Sequence, residues 1–535
     1  MTSNAGALPL ALLWGFPLIL SLAMLVPAAA DGAAWLSLLA HPQLWPALGL
    51  SLFTGAAAAL LALALSLLLL AGLHGSAGWR WLAVGSAAGL ALPHLAFAIG
   101  FGFLVMPSGL LARLIAGGDA PPGWVSVQDP LGLSLTAALA LKEVPFLVTA
   151  ALGALARGDR IRRLSLELRA AASLGHGKGS AWLRIVLPPL LHDLRWPLVI
   201  VFVYGATVVD MALVLGPTQP PTLAVVIWHA LNDVTPEANR MGLAGTLLLT
   251  ASLALALAAA ATLARALRGA GRRALTNGPS LLGPPRHSAW LAGGLGLAIM
   301  ATCLGLLLLL SAAPRWPYPA LLPPVLSMQA WQTMAAAPAP VWLSLGLGLA
   351  TSASAIMLAV LWFETQPPSR DRWPMGLALL SLALPQLAIA GGQYRLFLDG
   401  GLAGTLTGLF LAQLAPVAAY VLIVLQGPYR AFDARYMAAA RALSVAAPAA
   451  WVRVKLPLLK APLLTAAAIG FAVSIVQFVP AQLIAAGRFS TLPMEAVTLS
   501  SGGSRPLTAA FALALALPPL LAILAAALLG RPRWR

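Results

Sequence analysis

Apolar residues run along this chain for about 20 positions at a time, wider than the stripe of an amphipathic surface helix and without the alternation of a half-buried strand. Runs of that length suit helices that cross a hydrocarbon core. The pattern predicts twelve such spans. In the first half they are Leu12 to Ala29, Pro46 to Leu73, Leu82 to Met106, Leu131 to Ala156, Pro197 to Leu215 and Met241 to Ala264. In the second they are Trp290 to Ala312, Val341 to Phe363, Pro374 to Ala390, Leu402 to Leu425, Pro462 to Ala485 and Leu507 to Gly530. Composition agrees: 60% of residues are hydrophobic and 9% charged, against about 25% charged in soluble domains. The fold class expected is an all-α membrane protein.

The net charge of +17 would fit a nucleic-acid binder, but its placement gives it another purpose. With the N-terminus inside, 25 Lys and Arg residues fall on inner segments, 6 on outer loops and Lys142 within a span. Basic residues accumulate on the cytoplasmic side of a membrane protein, so both termini are expected in the cytoplasm and no nucleic-acid partner is implied. Met1 to Pro9 carries no basic residue and no cleavage site follows, so the first span reads as an anchor and not a signal peptide. Cys303 is the only cysteine, which excludes an intramolecular disulfide. The seven histidines are scattered, and no metal or cofactor is expected.

An internal repeat organises the spans. LALPHLAFAIG from Leu90 returns as LALPQLAIAGG from Leu382, 292 positions later. AWLRIVLPPLL from Ala181 returns as AWVRVKLPLLK from Ala450, and Thr222 in PTLAVV corresponds to Thr491 in STLPMEAV, both at 269. The order of the pieces is preserved. Six spans per half, each half starting inside, predict a parallel duplication about an axis along the membrane normal. The halves are 1–264 and 288–535, and 265–287, basic and rich in Gly and Pro, is the cytoplasmic linker.

Within the first half, RAAASLGHGKGSAWLRIVLP raises the question of phosphate binding. A Walker A loop needs G-x-x-x-x-G-K-[ST]. With Gly177 and Lys178 in place, its first glycine falls on Ala172 and its hydroxyl on Gly179, so the pattern fails. The repeat supplies a better match. Both copies form a basic segment ending in Leu-Pro before a span, which resembles the EAA loop of binding-protein-dependent ABC importer permeases: E-A-A, three residues, G, nine residues, I, one residue, L-P. Ala170, Ala171, Gly175, Ile185, Leu187 and Pro188 fall on it in register, with Arg169 in place of Glu. In the second copy Ala439, Ala440, Val454, Leu456 and Pro457 match, with Ala438 in place of Glu and Ser444 in place of Gly.

The resemblance extends over most of the chain, which has the length and layout of fused twelve-helix permeases of the thiamine and ferric-iron importer type, thiamine-like members being nearest. It implies a type I ABC importer fold in a bacterial inner membrane, and a chain that is not itself an enzyme. The partners implied are two copies of a separate ATPase docking on these loops, a periplasmic or extracellular substrate-binding protein and the surrounding lipid. The missing glutamates leave the polar part of docking open. Glu167 cannot stand in for Arg169, because positions two apart on a helix do not share a face.

Each loop reads as two short helices, Ser165 to Leu174 and Ser180 to Val186 in the first, with Trp182 and Trp451 as matching anchors. Gly175 takes positive φ freely, whereas a serine there is strained by about 1–2 kcal/mol. The second turn is therefore expected to have a different backbone, stiffened by Pro448. Ionisable and polar groups within spans are the candidate pathway residues: Lys142 and Glu143, Asp210 at helical spacing from Thr207, and Ser474 and Gln477 in the second half, beside Gln413. Lys142 and Glu143 point about 100° apart, so each is free to meet a different helix; the alternative for them and for Asp210 is a structural pairing within the bundle or a place nearer the interface. A secondary transporter of two six-helix halves is the alternative reading, and needs neither loop. A membrane transferase would need a catalytic constellation in an outer loop, and the long outer loops show none.

Overall fold

The computed structural model describes residues 7–530 apart from 117, 157, 159 and 277–285; the side chains of 272, 274 and 275 also lie outside that description. Part of the linker 265–287, Arg157 and the basic tail at 531–535 fall outside it. All regular structure among the described residues is helical. Ten helices there are long and apolar enough to cross a membrane, and two further helix pairs meet that test only if each bent pair counts as one span. This accounts for the spans read from hydropathy, with breaks that hydropathy does not register.

The third span of each half is not continuous. It divides into Gly78–Ala91 and His94–Val105 in the first half, and Arg372–Ala383 and Gln386–Asp399 in the second. The cause is local. Leu92 and Leu384 precede prolines and take extended backbone at ψ 122° and 149°, because a residue before proline is pushed out of the α region. The second-half pair is bent by 105°. The fifth span also breaks: Lys178–Thr207 ends where Val208 turns extended, and a new helix, Asp210–Leu215, begins. Asp210 is therefore not at helical spacing from Thr207, contrary to the expectation from sequence. Its counterpart in the second half breaks between Ile475 and Val479.

The chain forms two compact units. One contains Met1–Gly32, Leu231–Leu243 and Met328–Arg535; the other contains Ala33–Ala230 and Ala244–Ser327. The first helix of each sequence half thus belongs to the unit built mainly from the other half. Ala7–Ala30 buries Leu10, Trp14 and Leu18 in a core with Trp362, Leu414 and Val421, and Trp14 Nε1 donates to the Ala415 carbonyl at 2.8 Å. In the other unit, Arg286–Ser311 buries Cys303, Leu306 and Leu307.

Each crossing is made at a glycine. A Cβ on Gly392 would lie 2.0 Å from the Ser21 carbonyl oxygen, and one on Gly100 would lie 2.8 Å from that of Cys303. Gly100 and Gly392 are separated by the same 292 positions as the repeated LALP segments. Small residues let backbones approach where lipid supplies no hydrophobic drive. Leu44–Leu73 follows the same rule with a buried stripe including Ala47, Ser51, Gly55, Ala58 and Ala62, as does Ala339–Thr365 with Ser344, Gly348, Thr351 and Ala355. Ser51 Oγ accepts the Leu223 N–H at 2.9 Å and Ser344 Oγ accepts the Leu492 N–H at 2.9 Å, so the same second-span serine caps the same outer-loop helix in both units.

Candidate functional site

The loops between the fourth and fifth spans share one backbone plan. The first runs through Arg160–Ser173 and turns at Gly175, φ 81°. The second runs through Arg435–Ala442 and turns at Ser444, φ 56°. In the first, the N–H of Gly175 donates to Ala172 O (3.1 Å) and that of His176 to Ala171 O (3.0 Å). In the second, Ser444 N donates to Arg441 O (2.9 Å) and Val445 N to Ala440 O (3.1 Å). Both are Schellman turns. The expectation of a different second turn is corrected: paired bonds to the last helical carbonyls outweigh the serine's left-handed strain, and Pro448 sits in the first turn of the following helix.

Past the turn, each copy contains one widened π turn, Trp182–Val186 and Trp451–Lys455, 269 residues apart. Such single π turns often mark functional sites. In the first loop the helix then continues as one span to Thr207, so the second short helix read from sequence is the start of the fifth span. In the second loop, Ala447–Leu458 meets Lys460–Ile475 at 75°.

Around the turn the two loops bury and present the same positions. Ala171 and Ala440 are buried, while Arg169, Ala170, Ala438, Ala439, Gly175 and Ser444 are exposed. Ile185, Leu187, Pro188, Val454 and Leu456 are half-buried and Pro457 is exposed. The residue before each turn was missed by the motif. Leu174 is 78% exposed and Leu443 79%, two bare leucines at equivalent tips, findable in the sequence from the shared 269 offset. A groove of about 530 Å³ at the first loop is lined by Arg160, Arg163, Leu164, Glu167, Ile185 and Pro189, and Arg160 also pairs with Asp193. Asp433, ahead of the second loop, lies below the usual carboxylate range because the Arg435 side chain and backbone N–H both donate to it.

Within the spans, Lys142 and Glu143 each meet a different element. Lys142 Nζ donates to Gly89 O at 2.9 Å, and Glu143 Oε1 lies 3.1 Å from His94 Nε2. Gly89 is near the end of the helix before the Leu92–Pro93 break and His94 begins the one after it. The cation thus sits at a helix C-terminus and the anion at an N-terminus, the polarity that helix dipoles favour. His94 also meets the Tyr204 ring edge-on at 4.9 Å. Thr207 Oγ1 is satisfied by Val203 O (2.7 Å), and Asp210 is half-buried in the first turn after the fifth-span break. In the other unit Ser474 Oγ donates to Gln413 Oε1 at 2.7 Å and Gln477 Nε2 to Gln413 O at 3.0 Å. Gln477 Oε1 is buried with no hydrogen-bond partner among the described residues. Lys142 and Glu143 are thereby brought together around one helix break, and Ser474 and Gln477 around another.

Comparison with known proteins gives a consistent answer. No family model matches the chain. It is 32% identical over 515 residues, 96% of this chain and 94% of the other, to the inner membrane ABC transporter permease protein YnjC of Escherichia coli (strain K12). With doubled loops of one backbone plan, broken spans at matching prolines and that likeness over nearly its whole length, the chain belongs to the inner-membrane ABC transporter permeases.

Proposed function

We propose that this permease supplies both membrane halves of a binding-protein-dependent importer. Two copies of a separate ATPase dock on the loops around 160–188 and 435–457, both termini face the cytoplasm, and a periplasmic binding protein delivers a small solute. The observation that carries the reading is the pair of exposed leucines, Leu174 and Leu443, held on identical Schellman turns 269 residues apart. Burying a leucine contributes about 1.5–3 kcal/mol, so two tips held in one geometry offer repeated apolar contacts. Arg169 and Ala438 stand beside them where the related loops carry a glutamate, so docking here relies on the apolar tip and the alanine face.

Each unit offers polar groups to the solute at its own fifth-span break, Thr207 and Asp210 in one and Ser474 and Gln477 in the other. The unpartnered Gln477 oxygen supplies an acceptor to a solute donor. Lys142 and Glu143 hold the third-span break from which that pathway is shaped. Thiamine-like solutes are the first to test, on the likeness of the loops and layout to importers of that type. The experiment is photo-cross-linking from Leu174 and Leu443 in native membranes. Both positions are expected to capture the same nucleotide-binding polypeptide; capture of none, or of different proteins, overturns the reading.

A further inference from the structure

The two loops are fastened to their units differently, and the difference centres on one carboxylate. Glu364 lies at the end of Ala339–Thr365, and its Oε1 accepts from three donors. Trp451 Nε1 and Lys455 Nζ each reach it at 2.7 Å, and the Tyr429 hydroxyl completes the set. Trp451 and Lys455 are the first and last residues of the second loop's π turn, while Tyr429 closes Leu406–Arg430. Lys455 Nζ also sits over the Tyr429 ring at 4.5 Å and the Phe432 ring at 5.2 Å. One oxygen atom therefore ties the loop to the ends of two spans.

The first loop lacks the carboxylate and the lysine at the corresponding positions. At the offset of 293 that relates Ser51 to Ser344, Ala71 stands where Glu364 is, and at the loops' offset of 269 Val186 stands where Lys455 is. Trp182, matching Trp451, is buried with its Nε1 lacking a hydrogen-bond partner among the described residues. There Arg160 pairs with Asp193 of the fifth-span helix, and Trp182 and Val186 pack in one core with Leu69, Leu70 and Leu73 of Leu44–Leu73.

We propose that Glu364 is a positioning residue that makes the second loop move as one body with the Ala339–Thr365 and Leu406–Arg430 helices, while the first loop, which meets the corresponding span Leu44–Leu73 through apolar packing of Trp182 and Val186, slides against it. Motion received at the second loop then reaches its unit through a charge-assisted joint, stronger than neutral hydrogen bonds. This rests on the docking reading for the source of the motion but not for the joint itself.

Spin-label distances test it in the full chain. Cys303 is the only cysteine, so a Cys303→Ala background accepts labels at Ser369→Cys with Ala447→Cys, and at Ala77→Cys with Lys178→Cys. The 369–447 pair is expected to give one narrow distance that vanadate trapping of the ATPase complex leaves unchanged. The 77–178 pair shifts on trapping. Glu364→Gln and Lys455→Met abolish the single narrow 369–447 distance and make it respond to vanadate, and Lys455→Arg preserves it. A purely structural role would broaden the distance without a vanadate response. A 369–447 distance unchanged by Glu364→Gln and Lys455→Met, or broadened alike with and without vanadate, overturns the proposal. If no ATPase accompanies the unlabelled protein, the docking reading fails, and a 369–447 distance that Glu364→Gln and Lys455→Met leave narrow on the permease alone overturns the joint by itself.

Discussion

Exchanging the residues at the two Schellman turns should change their stabilities in opposite directions. Gly175 has φ 81° and a Cβ there would meet nothing within 4 Å, so Gly175→Ala acts through backbone conformation alone. The left-handed strain costs about 1–2 kcal/mol, and stiffening of the unfolded chain returns about 0.4–1 kcal/mol. The net loss is about 1 kcal/mol. Ser444, at φ 56°, already carries that strain, so Ser444→Gly gains roughly 0.5–1 kcal/mol after the added chain entropy of glycine. Hydrogen exchange reads this locally at the amides of His176 and Val445, which bond Ala171 and Ala440. Exchange at His176 should quicken about fivefold in Gly175→Ala, and exchange at Val445 should slow about threefold in Ser444→Gly. Equal rates in variant and parent at both amides would refute the claim that the two turns are the same strained motif.

The glycine crossings should tolerate no side chain. Gly392→Ala places a Cβ 2.0 Å from a backbone oxygen and Gly100→Ala one at 2.8 Å, so each lowers thermal stability in detergent by about 1–3 kcal/mol, Gly392→Ala more; an unaltered melting profile for either removes that crossing. Ser51→Ala and Ser344→Ala each strand a buried N–H, of Leu223 and Leu492, at about 1–3 kcal/mol, and closely matched losses in melting experiments are expected from their equivalent places. Reporter fusions at Gly278 and Arg533 should be cytoplasmic and those after Gly118 and Asn232 external, following the excess of basic residues; an external signal at Gly278 contradicts the two-half arrangement.

The spans were legible because about 20 apolar residues in a row have few other uses, and the loops because a degenerate motif occurs twice at one offset. Breaks were not. Both sides of Leu92–Pro93 and of Leu384–Pro385 are apolar on average, so hydropathy draws no boundary there, although the prolines themselves were a usable signal. Nothing in GATVVDM around Val208 marks the end of a helix, which is why Asp210 was placed beside Thr207. Ser444 misled for another reason: intrinsic preference argues against a left-handed serine, and the paired turn bonds override it. Glu364 was overlooked because its partners lie 65 to 91 residues away, and only packing brings Tyr429, Trp451 and Lys455 to one oxygen. His94 acquires its role the same way, by standing where the third span breaks against Glu143.

The central claim is that each loop tip seats one ATPase copy, and native mass spectrometry of the purified assembly tests it most directly. Leu174→Glu and Leu443→Glu each replace a nearly bare leucine with a charge that an apolar seat cannot solvate, at a cost of several kcal/mol. The parent should carry two ATPase copies, either single variant one, and the double variant none. Two copies retained by the double variant would contradict the account.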